Sequence, residues 1–127
     1  MNLLDSINNN MFLKTLFPEG LTEKVLIGQI GYDVEGRFSI NLHTMQKPSI
    51  EVKRWGSYGR DYDVIVIKLL GSNVSDFSAT HWREVCYSHI RLIKTGNLLK
   101  LSAVEENWAV HVVFETIGFQ ECSTYLS

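Results

Sequence analysis

Chemistry in this chain would have to come from four histidines, two cysteines and the paired carboxylates Glu105-Glu106. His43, His81, His89 and His111 are spread over the sequence, and no two have the local spacing of a metal-ligand pair. There is no CxxC or HExxH motif, and no phosphate-cradling glycine loop followed by Lys-Ser or Lys-Thr. Cys86 with a distant histidine would make a nucleophile and its base. Its alternation with Ser88, Ile90 and Leu92 instead predicts an inward, structural thiol. Glu105-Glu106 falls in a turn, where solvation accounts for both charges. The sequence therefore predicts no catalytic residue, metal or cofactor, and not an enzyme.

A second group of residues suits contact rather than catalysis. Gly56, Tyr58, Gly59, Arg60 and Asp61 form the most loop-like stretch, read as an exposed, adaptable tip. Tyrosine and arginine are types enriched among the energetic anchors of interfaces. Lys53-Arg54-Trp55 lies just before it, an aromatic with basic neighbours of the kind that stacks on single-stranded nucleic acid. The plainer reading of Trp55 is an anchor of the loop to the core. Acidic residues at Asp33, Glu35, Asp61, Asp63, Glu105 and Glu106 would complement a basic partner, or simply be solvated turn charges.

These residues must be positioned by strands. Residues 84–115 contain three apolar-polar alternations separated by Thr95-Gly96-Asn97 and Glu105-Glu106-Asn107. A period of two puts Leu99, Leu101 and Ala103 on one face, and likewise Trp108, Val110, Val112 and Phe114, as in an antiparallel meander. Residues 23–34 alternate but contain Gly28 and Gly31, which predicts a bulge or close backbone approach. Asp33-Val34-Glu35-Gly36 reads as a hairpin turn into residues 37–44, with Phe38, Ile40 and Leu42 inward. Val64-Ile65-Val66-Ile67 is a continuous apolar run, the mark of a central strand. Residues 71–80 read as a polar loop with Phe77 as anchor, and residues 116–126 as a last packed segment. Residues 2–17 read as an amphipathic helix along Ile7, Met11 and Leu16, capped by Asp5 or Ser6 and frayed at Asn8-Asn9-Asn10.

The expected fold is α+β, mainly β: a predominantly antiparallel twisted sheet of six to seven strands with a short N-terminal helix, one domain over residues 1–127. Composition agrees, since 45% hydrophobic and 20% charged residues are ordinary for a globular chain of 127 residues. A formal net charge of -2 supplies no broad basic field, which disfavours sequence-independent nucleic-acid binding. The first residues lack the basic flank and apolar run of a signal peptide, and no stretch reaches the ~20 apolar residues of a membrane span. A reducing, cytoplasmic setting is the expectation.

The chain as a whole resembles a known family. The features are the spacing from Pro48 to Trp55, the strand Val64-Ile65-Val66-Ile67-Lys68-Leu69, Trp82, the paired strands to Phe114, and the closing Cys122-Ser123-Thr124-Tyr125. Over residues 23–126 this is similar to the immunity protein 50 family of bacterial polymorphic-toxin systems. The resemblance implies a small, mainly β, non-enzymatic protein made beside a toxin, which it binds and neutralises. Many such toxins are nucleases, whose basic clefts suit acidic partners. It implies a cognate toxin encoded by the adjacent gene. The residues themselves offer the contact surface, through Tyr58, Arg60 and Asp61 or through the Asp33-Glu35 and Glu105-Glu106 turns, and neither a membrane nor direct nucleic acid is expected as a partner. Two alternatives remain from the residues: a small β-barrel-like ligand or nucleic-acid binding module using residues 53–60, and a structural subunit adding an edge strand to an assembly.

Overall fold

The computed structural model describes residues 2–127; Met1, the first residue of the expected domain, lies outside them. Eight strands form two four-stranded antiparallel sheets. The first has the order β1 (Val25–Tyr32), β2 (Phe38–Thr44), β3 (Val64–Ser72), β8 (Thr116–Tyr125). The second has the order β4 (Asp76–Thr80), β7 (Ala109–Phe114), β6 (Leu98–Val104), β5 (Arg91–Thr95). The mainly β, antiparallel architecture is as expected, with one strand more than the upper count and the strands divided between two sheets.

Alternation decides which side chains meet between the sheets. Phe38, Ile40 and Leu42 of β2 and Ile65, Ile67 and Leu69 of β3 are buried from one side. Leu99, Leu101 and Ala103 of β6 and Val110, Val112 and Phe114 of β7 are buried from the other, in the same cluster. The Phe38 and Phe114 rings meet across the core, centroids 5.0 Å apart. Phe38 fits because its register partner on β3 is Gly71. A methyl group at Gly71 would fall 2.0 Å from the Phe38 ring, so only a bare backbone lets the ring lie there. β3 is central, as its unbroken apolar run predicts, with β2 and β8 on either side.

Three expectations are corrected. Residues 76–80 form β4 rather than a loop, because Phe77 and Ala79 face inward opposite Val112 and Val110 of β7. Polar Asp76, Ser78 and Thr80 on the exposed face disguised this alternation. The first segment of the meander is a strand only over β5; before it lie a 3-10 turn, Trp82–Glu84, and an irregular stretch. Ser88 there pairs with Val25 of the first sheet through two backbone hydrogen bonds of 2.9 Å, which draws the chain off the second. Cys86 is accordingly exposed, not an inward thiol.

The N-terminal segment is a broken helix. A 3-10 turn, Leu3–Ser6, is capped by Asn2, whose side chain accepts from the Leu4 N–H, while the Asn2 N–H donates to the Asp5 carboxylate. The cap is thus Asn2, and Asp5 acts from three residues on. The asparagines end the turn: Asn9 is left-handed at φ 58°, and Asn8 pairs with Gly118 on the edge of β8. A short helix, α1 (Met11–Leu16), follows. Ile7 and Leu16 are buried, but Met11 is 83% exposed, because the break rotates α1 away from the stripe a continuous helix would have made. The β1–β2 hairpin has its bulge at Gly28, between Ile27 and Gln29.

Candidate interaction surface

Strand register assigns the candidate contact residues to the two ends of the molecule. At one end are the β1–β2 turn with Asp33 and Glu35, and the β5–β6 turn. At the other lie the start of β3, the end of β8, the β6–β7 turn with Glu105 and Glu106, and residues 56–61 before β3. Six residue steps along β2 span about 20 Å. Glu105 and Glu106 therefore share an end with Tyr58, Arg60 and Asp61, while Asp33 and Glu35 do not.

Asp33 is chiefly structural. One of its carboxylate oxygens accepts from the Glu35 and Arg37 N–H groups, and the other meets the Arg37 guanidinium at 2.9 Å. Arg37 also lies 3.4 Å from Glu35. Slight desolvation works to raise the Asp33 pKa and is outweighed by these hydrogen bonds and by the Arg37 charge, which lower it. Much of this turn's negative charge is already answered within it.

Residues 56–61 are held by several hydrogen bonds. Asp61 accepts from the Ser57 N–H at 2.7 Å and its own N–H returns to the Ser57 carbonyl at 2.9 Å. The Ser57 N–H, then the Arg60 guanidinium at 3.2 Å, lower the Asp61 pKa. The Tyr58 hydroxyl donates to the Met45 carbonyl at 2.5 Å, and its ring packs edge-on against Tyr62, centroids 5.6 Å apart. Burial first, then the charges of Glu23 and Asp63, raise the Tyr58 pKa. Arg60 stands well into solvent, its side chain 78% exposed, and Asp61 less so, at 42%. Trp55 is buried between Phe12 and Tyr62, at 6.0 and 5.8 Å, so it anchors the loop and offers no free stacking face.

A concavity of about 610 Å³ opens beside the β6–β7 turn. Its walls carry Glu84, Glu105 and Glu106, with His81 beside them and Trp108 at the base of the turn. The turn is closed by the Glu105 N–H donating to the Trp108 carbonyl at 2.9 Å. Glu105 is held by the hydroxyl of Ser88, 1% exposed, which donates to its carboxylate at 2.6 Å. Glu84 reaches the groove from the 3-10 turn, which the chain enters through His81 in a left-handed conformation, φ 52°. Trp82, in the same turn, is 41% exposed. Three carboxylates with a single histidine make the groove negative at neutral pH, a surface for lysine and arginine side chains.

Sequence reasoning found Glu105 and Glu106 but missed their partners in the groove, Glu84 and His81. The available signal was Ser88, a hydroxyl in an apolar alternation that, once buried, had to find an acceptor. Among the described residues no group of three or more His, Cys, Asp or Glu side chains is gathered to hold a metal. No helix among them is long and apolar enough to cross a membrane. Comparison of the chain with family models, curated proteins and solved structures finds no match.

Proposed function

We propose that this chain is a cytoplasmic immunity protein that binds and neutralises a cognate bacterial toxin domain, without catalysis of its own. The observation that carries the reading is the acidic groove, with Glu105 pre-positioned by Ser88 and Trp82 exposed beside it. An inhibitor needs a stiff scaffold presenting anchors and charge, and a two-sheet core supplies the stiffness. The toxin would present a basic segment to the groove, as a nuclease does around its substrate cleft. Arg60, at the same end of the molecule, is the candidate second contact.

The test is co-purification and protection. The product of the adjacent gene should bind this chain, and cells expressing that product should survive only when the chain is present. Reversing charge in Glu105→Lys with Glu106→Lys should slow association, with little change in dissociation, and the wild-type on-rate should fall with added salt. Absence of binding to any neighbouring product removes the proposal. Binding that is indifferent to the reversal and to salt moves the contact away from the groove.

A further inference from the structure

Four strands border the two sheets, and three of them are guarded against pairing with another chain. β1 has the bulge at Gly28 and is bridged at its start by Ser88. β8 carries an extra residue, Gln120, against β3. The N-terminal segment covers the first half of β8, with the Asn8 N–H donating to the Ile117 carbonyl and the Phe119 N–H to the Asn8 carbonyl, both at 2.9 Å. β5 holds two exposed cations, Arg91 and Lys94. Bulges, covering segments and edge lysines are the devices that keep an open strand from adding a partner. β4 has none of them.

β4 runs in unbroken register along β7, from Asp76 opposite Val113 to Thr80 opposite Ala109. In an antiparallel pair every second residue turns its N–H and C=O away from its neighbour. Among the described residues nothing meets those groups, because residues 76–80 make backbone hydrogen bonds to β7 alone. The side chains along this edge include small Ser78, Ala79 and Thr80, and its one charge, Asp76, stands at its first residue. Phe77 is half-buried, and the Tyr32 ring of β1 lies against it, centroids 5.1 Å apart. Tyr32 is itself 59% exposed, an apolar shelf beside the edge. At the other end of the strand, Thr80 belongs to the groove wall with Glu84, Glu105 and Glu106.

We propose that β4 accepts an extended segment of a partner protein, the toxin in the reading above, as an added strand of the second sheet, with a lysine or arginine of that segment seated among the groove carboxylates. Main-chain hydrogen bonds hold such a strand whatever its sequence, and side-chain contacts select it. Here the selection is for an apolar side chain on the Tyr32–Phe77 shelf and a basic one past Thr80. A second copy of this chain is the poorer occupant. Paired antiparallel along β4 it brings its Asp76 to the groove carboxylates, and paired parallel it sets groove against groove, like charge against like in both cases. The proposal rests on the groove as a contact for a basic partner, and it names the form of the segment that enters.

The probe is a peptide, acetyl-Lys-Thr-Val-Thr-Val-Thr-Lys-amide, whose basic ends suit either strand direction, titrated into the free chain and followed by NMR. Alternate amides of β4 should shift and exchange more slowly with solvent deuterium, while those of β5 stay as they were. The same peptide with glutamate in place of lysine should bind about tenfold more weakly, and Glu105→Lys with Glu106→Lys should erase that preference. In the complex with the product of the adjacent gene, the same β4 amides should be protected. Protection by the peptide without any binding of that product supports the strand addition and removes the immunity reading. A complex whose β4 amides exchange as in the free chain overturns the strand addition and leaves the immunity reading in place. No response of β4 to the lysine peptide, or β4 protection in the free chain that grows with its own concentration, likewise overturns the proposal.

Discussion

Phe114→Ala probes whether the two sheets truly share one core. Phe114 is 0% exposed, and its ring meets Phe38 across the interface at 5.0 Å. Removing a fully buried phenyl group forfeits about 1.5–3 kcal/mol of transfer free energy. Collapse into the space is blocked on the opposite side, because Phe38 is itself fixed over Gly71. The cavity therefore stays largely open, and the total loss should be ~3–5 kcal/mol. Against a native stability of roughly 5–15 kcal/mol, that is enough to move the urea midpoint far down, with the slope unchanged. A cycle with Phe38→Ala refines the reading. The two rings should couple by about 0.5–1.5 kcal/mol, so the double variant loses less than the sum. Urea unfolding followed by tryptophan fluorescence and circular dichroism gives all four values. A single-variant loss below ~1 kcal/mol, or strict additivity, would mean that the sheets do not pack as described.

Gly71→Ala should destabilise by about 1–3 kcal/mol through overpacking against Phe38, and Phe38→Leu in the same background should recover part of it; a thermal melt decides. Asp61 and Asp63 both have lowered pKa values, the first through the Ser57 N–H and the Arg60 guanidinium, the second through the side chain and N–H of Ser127. Their stabilisation is complete above the ordinary carboxylate value and is lost as pH falls through the lowered ones. Melts between pH 5 and 2 should show the loss, and Asp61→Asn should flatten it; an unchanged profile refutes the assignment. Ser88→Ala should leave Glu105 unheld, slow association with the toxin, and destabilise by about 1–3 kcal/mol if the backbone pairing with Val25 also loosens. A variant with wild-type melting and binding would refute that link.

What could be read in the sequence follows from where the burial was one-sided. β2 and β7 alternate cleanly because one face meets the core and the other is more open, β6 does so except at Ser102, which is buried on the outward face, and their inward residues were assigned correctly. β3 showed its central place through an unbroken apolar run, and the Asn8-Asn9-Asn10 break was visible in composition alone. β4 was hidden because only two of its five residues are apolar. Met11 was misplaced because a helical stripe assumes continuity, and one left-handed asparagine resets the phase.

The residues around the groove were hidden for a different reason. Glu84, His81, Ser88 and Glu105 come from a 3-10 turn, an irregular stretch and a hairpin turn, and none of these has a period that a sequence reading can follow. What brings them together is long-range: Val25, at the start of β1, recruits Ser88 across from the other sheet, and Ser88 then fixes Glu105. Local alternation had put Ser88 in the core, which is correct, but together with Cys86, which is not. The difference is that a buried hydroxyl had a carboxylate to satisfy it, whereas nothing in the bridging backbone turns Cys86 inward. The same bridge ties the groove to the first sheet, so the wall built around Glu105 depends on Val25, a residue 80 positions earlier in the chain and in the other sheet.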